Sequence, residues 1–166
     1  MVDTSYQAWV VEKEQDQYSG QVKTLNTADL PEGEVLVQVR YSSLNYKDAL
    51  SATGNPGVTR HYPHTPGIDA AGIVAESLDD RFTPGEKVIV TSYDLGMNTA
   101  GGYGQYIRVP ADWVVKLPET LSLKESMILG TAGFTAGMSV FRVVKTISPD
   151  QGDILVTGAT GGVGCL

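Results

Sequence analysis

Residues 158–164 read Gly-Ala-Thr-Gly-Gly-Val-Gly, four glycines in seven positions. Each glycine costs about 0.5–1 kcal/mol relative to alanine in a regular element, so such a cluster needs a purpose. One purpose is close approach of backbone N–H groups to a pyrophosphate, with the positive end of a following helix aimed at the same group. The strict spacing is G-x-x-G-x-x-G rather than G-x-G-x-x-G. A second reading therefore stays open, a tight strand-to-helix turn that binds nothing. The short apolar run at 153–157 directly before the loop is expected to be a strand and favours the first reading. The acidic position that reads a ribose hydroxyl in such units would lie beyond Leu166.

Metal and thiol chemistry find less support. The two histidines, His61 and His64, stand three apart in a proline-containing loop and are expected at the surface rather than on a metal. A single cysteine, Cys165, leaves no disulfide framework and no four-cysteine zinc lobe within the chain. No base with an orienting partner can be argued around it, so it is expected to be a buried small residue rather than a nucleophile. The net charge of -7 argues against nucleic acid or an anionic membrane as the main partner, although a local patch can still hold an anionic ligand. The start Met1-Val2-Asp3-Thr4 has no basic or apolar leader character, and no apolar run approaches 18 residues. A soluble, cytoplasmic protein is expected.

The elements that must position these groups change character along the chain. Short strands are expected at 7–12, 34–43, 68–77, 86–92, 104–109 and 113–117, the last four each bounded by Gly, Pro or Asp. In the second of them Val35, Val37, Val39 and Tyr41 alternate with Leu36, Gln38 and Arg40. That spacing suits a small, mainly antiparallel barrel. A short helix is expected from Asn45, which can cap it, with Asp48 near its positive end. After Pro118, Ser122 and Glu125 form a capping box, and Phe134, Met138 and Phe141 share one face of the helix that follows. A turn at 148–152 precedes the strand and loop. The chain stops two residues after the loop, whereas such a loop normally feeds a helix and a returning strand, so a fragment or a truncated product is expected.

Residues 63–74, Pro-His-Thr-Pro-Gly-Ile-Asp-Ala-Ala-Gly-Ile-Val, resemble the P-x-x-P-G-x-[DE]-x-x-G-x-V segment of the medium-chain dehydrogenase/reductase superfamily. Gly85-Glu86-Lys87-Val88, Gly101-Gly102-Tyr103-Gly104-Gln105-Tyr106 and Gly130-Thr131-Ala132-Gly133-Phe134-Thr135-Ala136 resemble three further motifs of that superfamily in the same order. Ser42-Ser43-Leu44-Asn45-Tyr46-Lys47-Asp48 is most similar to the YhdH/acrylyl-CoA reductase branch of its quinone oxidoreductase-like enzymes. The resemblance implies a mainly β GroES-like barrel with flanking helices at 1–121. It implies linking helices and the start of an α/β Rossmann nucleotide-binding domain at 122–166, and a homodimer. Where zinc alcohol dehydrogenases place a catalytic cysteine and a His-Glu pair, this chain has Asn45 and Ile68-Asp69. An amide and an isoleucine are not zinc ligands of that type, so zinc-independent chemistry is expected.

The branch's chemistry then distributes over named residues. Asn45 and Tyr46 are the catalytic candidates, Asn45 to orient or donate and Tyr46 to relay a proton or hold the nicotinamide side of NADPH. By the same resemblance Thr131 approaches the cofactor, and Thr160, Gly161, Gly162 and Val163 cradle its diphosphate. Lys47 is expected to be solvated, Asp48 to serve the helix start, and Trp9 and Trp113 to pack in the core or an interface. Asp69 is expected near the cleft without a catalytic role. The implied function is NADPH-dependent reduction of an activated carbon-carbon double bond, in acrylyl-CoA or a similar enoyl thioester, or of quinones. The alternative is a catalytically incomplete lobe that serves as a dimerisation or structural module.

Overall fold

A computed structural model describes residues 3–166. The first hairpin pairs β1 (Ser5–Glu14) with β2 (Gln17–Asn26) in antiparallel register, Ser5 opposite Asn26 and Glu14 opposite Gln17. Period-two alternation puts Tyr6, Ala8 and Val10 inward, where Leu25, Leu30 and Tyr106 pack on them. The hairpin is fastened to two loops. Val11 and His64 exchange both backbone hydrogen bonds (2.8 and 2.9 Å), and Trp9 N–H donates to the Tyr103 carbonyl at 2.9 Å.

The second sheet has five antiparallel strands in the order β6-β3-β4-β5-β7. They are β3 (Val35–Tyr41), β4 (Asp69–Ser77), β5 (Lys87–Thr91), β6 (Tyr106–Val109) and β7 (Val114–Lys116). One face carries the main core: Val35, Val37, Val74, Val88, Val90 and Ile107 among others. Each such aliphatic side chain contributes roughly 1.5–3 kcal/mol on burial. Leu36, on the opposite face of β3, is equally buried. The sheet is covered on both sides, because Leu36 and Gln38 sit opposite Arg108 and Tyr106, and Tyr106 packs under the hairpin. The expected barrel of short strands is thus the observed fold.

Two helices flank the sheets. The first, α1 (Tyr46–Ala52), starts at Asn45 as expected. The second, α2 (Leu123–Thr146), starts at the Ser122 box, with Glu125 N–H on Ser122 Oγ and Ser122 N–H on the Glu125 carboxylate. By length and composition alone α2 would suffice to cross a membrane. In this fold its N-terminal turns, with Ser126, Met127 and Gly130 buried, pack against β4 and β5, and a break at Gly130 redirects its axis. Beyond that break Phe134, Met138 and Phe141 lie on one face as expected, but that face is exposed.

Three expectations are corrected. The strand at 153–157 does not form: 152–156 carries no regular secondary structure, with Ile154, Leu155 and Val156 exposed. A strand exists only as part of a ladder, and no described strand lies beside it. Cys165 is likewise exposed rather than buried, its thiol turned to the Gly162 carbonyl.

His64 is the third. His61 is exposed, but His64 is buried, because the backbone rung with Val11 draws its side chain inside, edge-on to Tyr62. Its Nε2 has no hydrogen-bond partner. Desolvation, only partly offset by the Gly96 backbone and by Asp94, holds the imidazole below its ordinary value of 6.5. The unfolded chain therefore binds the proton more readily than the native state. The stability owed to neutral His64 is complete above about pH 6.5 and is lost as pH falls below it, by at most about 1.4 kcal/mol per pH unit. Urea midpoints compared at pH 7.5 and 5.5 should fall more for the native sequence than for His64→Gln. Equal falls would remove His64 from the acid response.

Candidate cofactor and active site

The site is organised around two buried carboxylates. Asp48, on the first turn of α1, accepts from Asn45 N–H (2.8 Å), from Ile68 N–H (2.9 Å) and from the Tyr103 hydroxyl (3.0 Å). It serves the helix start, as the sequence suggests, and ties that start to two loops as well. Burial, and the neighbouring Asp48 charge after it, hold the Tyr103 phenol well above its ordinary range, so it stays a donor.

Asp69, the first residue of β4, is fully buried. Its Oδ1 accepts from the Thr131 hydroxyl at 2.5 Å, and its Oδ2 from Thr131 N–H at 3.1 Å and from Asn45 Nδ2 at 2.8 Å. Burial pushes this carboxyl above its ordinary range, against the pull of its hydrogen bonds to Thr131 and Asn45. The contact between β4 and α2 depends on Gly130, which adopts φ 56°, ψ -129°. A Cβ there would lie 2.5 Å from Ser43 Oγ and 2.7 Å from Asp69 Oδ2. The Gly-Thr-Ala-Gly motif thus gives a close approach at Gly130 and two donors at Thr131.

Asn45 and Thr131 face a cleft of about 360 Å³ that is also lined by Tyr46, Lys47, Met97, Gly162 and Val163. The structure therefore brings together both catalytic candidates and three of the five cofactor candidates outside that pair (Thr131, Gly162 and Val163). Thr160 and Gly161 lie in the same exposed loop without lining the cleft. Tyr46 is 80% exposed, so its phenol is free to meet a ligand. Lys47 is also exposed, its Nζ 3.8 Å from Met97 Sδ. Among the described residues no group of three or more His, Cys, Asp or Glu side chains could hold a metal ion.

Ser92 and Tyr93 join the site without having stood out in the sequence. Both have positive φ (69° and 52°) and both line the cleft as well as an adjoining apolar recess of about 620 Å³ with Ile89, Trp113, Val115, Leu129 and Phe134. Left-handed conformations in successive non-glycine residues are uncommon and gather at functional sites. No local signal marks them; they only follow the end of β5. Trp113 stacks on Tyr93 with ring centroids 5.3 Å apart and planes at 6°.

The glycine loop folds tightly on itself. Gly158 has φ 66°, and a Cβ on Gly164 would lie 2.3 Å from the Gly158 carbonyl. Gly161 and Cys165 N–H groups bond within the loop. Gly162 meets α2 at Ala132 and brings bare backbone to the cleft floor.

Residues 31–119 match the alcohol dehydrogenase GroES-like domain. The chain belongs to that family. The acrylyl-CoA reductase AcuI of Ruegeria pomeroyi is 48% identical over 164 residues, which are 97% of this chain and 50% of that protein. The crystal structure of Bacillus subtilis protein yhfP with NAD bound aligns at TM-score 0.93 and 52% identity, covering 98% of this chain and 50% of the other. The yhdH oxidoreductase of Salmonella enterica in complex with NADP aligns at TM-score 0.92 and 46% identity, covering 95% of this chain and 49% of the other. The chain spans about half the length of these relatives. Its GroES-like part contains Asn45, Tyr46, Asp48 and Asp69, while Thr131 and the glycine loop lie beyond the family match.

Proposed function

We propose that this chain supplies the substrate-side lobe, 1–121, and the opening of the nucleotide-binding domain, 122–166, of an NADPH-dependent reductase that works without zinc. The observation that carries the reading is the single cleft shared by Asn45, Tyr46, Thr131, Gly162 and Val163. Two structural relatives with NAD and NADP bound support the cofactor class. The acrylyl-CoA reductase relative supports an enoyl thioester as acceptor.

Bound there, the cofactor supplies the hydride. The chain's own part is to orient and to polarise. The Tyr46 hydroxyl, exposed at the cleft, can donate to an acyl oxygen as negative charge develops on it, or pass a proton to the adjacent carbon. Asn45 is held by Asp69 and by the start of α1, which fixes its amide without loss of rotamer freedom during reaction. Gly162 keeps the cleft floor free of side chain. The apolar recess favours quinones as a second acceptor class, because a flat ring could lie against Tyr93, Trp113 and Phe134. By the family resemblance the assembly would be a homodimer.

Titration of NADPH into the folded protein, followed by the fluorescence of the reduced nicotinamide, tests the reading. Saturable binding is expected, weakened roughly five- to tenfold by Tyr46→Ala, the loss of about one hydrogen bond, with an unchanged thermal midpoint. A folded protein that binds no NADPH would sink the reductase reading for this chain and leave the structural-module reading.

A further inference from the structure

The cleft has fewer free hydrogen-bond donors than its lining suggests. Thr131 spends its only hydroxyl proton on Asp69 Oδ1, and Asn45 commits an amide hydrogen to Asp69 Oδ2 at 2.8 Å. Asp48, the neighbour of Lys47 on α1, is likewise closed off by three donors of its own. Both carboxyl groups are buried next to cleft-lining residues, so negative charge that develops in the cleft is opposed from behind.

One lining group answers that opposition. Lys47 is the only charged side chain among the residues that line the cleft. It makes no ion pair among the described residues, whereas Lys23, Arg81 and Lys116 are each held by a carboxylate. Its Nζ lies 3.8 Å from Sδ of Met97, a weak acceptor that lines the same cleft. The ammonium is thus kept at the cleft with its other N–H groups uncommitted.

The reduction proposed above creates a charge for it to meet. Hydride taken from NADPH forms the new C–H bond at the β-carbon of the acceptor. The C=C pair shifts toward the carbonyl carbon, and the C=O pair ends on the oxygen as negative charge. A proton added at the α-carbon then restores the carbonyl. We propose that Lys47 is a catalytic residue of this reaction, its ammonium stabilising the oxyanion of the acceptor beside the Tyr46 hydroxyl. This rests on the reductase reading and deepens it by naming the cationic group of a site that works without zinc. The same role serves a quinone, whose oxygen also gains negative charge on hydride transfer. The Ser92 hydroxyl lines the cleft too, but a neutral donor brings no net charge.

The test uses 4-nitrophenol, whose phenolate oxygen stands in for the oxyanion and whose two forms absorb differently, so binding is read without turnover. The native protein should bind the phenolate about tenfold tighter than the neutral phenol, which places the ionisation of the bound probe about one pKa unit below that of the free probe. Lys47→Gln should reduce the preference to about twofold or less, and Lys47→Arg, which keeps the charge, should retain it. The preference should also shrink as salt rises, because the ammonium is exposed. Equal affinity for the two forms, no binding of either, or a preference that survives Lys47→Gln overturns the inference. NADPH titrated into the same proteins keeps the two readings apart. Saturable NADPH binding without a phenolate preference sinks the role of Lys47 alone, and a folded native protein that binds neither ligand sinks both.

Discussion

Gly130→Ala is expected to lower the stability of the protein by about 3 kcal/mol or more. The φ 56°, ψ -129° conformation lies outside the regions open to side-chain-bearing residues and costs about 1–3 kcal/mol. The added methyl must also displace Ser43 Oγ and Asp69 Oδ2, both inside 3.0 Å of its position, a further 1–3 kcal/mol or so for overpacking. Neither neighbour yields cheaply. Ser43 Oγ donates to the Met127 carbonyl at 2.6 Å, and Asp69 holds its three donors. Urea denaturation measures the loss. A variant within about 1 kcal/mol of the native sequence would mean that β4 and α2 do not meet as described.

Asp48→Ala should be comparably damaging, by about 3–5 kcal/mol. The substitution strands three donors at once: Asn45 N–H, Ile68 N–H and the Tyr103 hydroxyl. A stranded buried donor costs about 1–3 kcal/mol. Asp48→Asn should fall between, since one amide oxygen can serve some of the donors while its NH2 faces the others. The damage should also reach the site, because Asn45 loses the contact that fixes its backbone. Thermal unfolding with NADPH present and absent separates the two effects. A loss below about 1 kcal/mol for Asp48→Ala would show that water replaces the carboxylate at no great cost.

Sequence patterns revealed the local devices of this fold and little of what joins them. The alternation of Val35, Val37 and Val39, the Ser122 box and the role of Asp48 at α1 are written in neighbouring residues, and the structure has each of them. The two sides of the cleft could be named through motifs at 45–46 and 130–131. Their connection through Asp69 could not, because it depends on side chains 24 and 62 positions away. The burial of His64 was hidden for the same reason: its partner in the backbone rung is Val11. The apolar run at 153–157 has a strand's composition, but a strand is a property of two chains of backbone side by side, and composition reports only one of them.

The tryptophans give the site its own optical labels. Trp113 lies flat on Tyr93, the residue shared by the polar cleft and the apolar recess. Trp9 meets Tyr103 edge to face, and the Tyr103 hydroxyl ends on Asp48. Each indole is therefore one side chain removed from a different part of the site, and the protein contains no others. Intrinsic emission can report the cleft wall through one ring and the buried carboxylate network through the other. Two single Trp→Phe variants would give each signal its address without any attached dye.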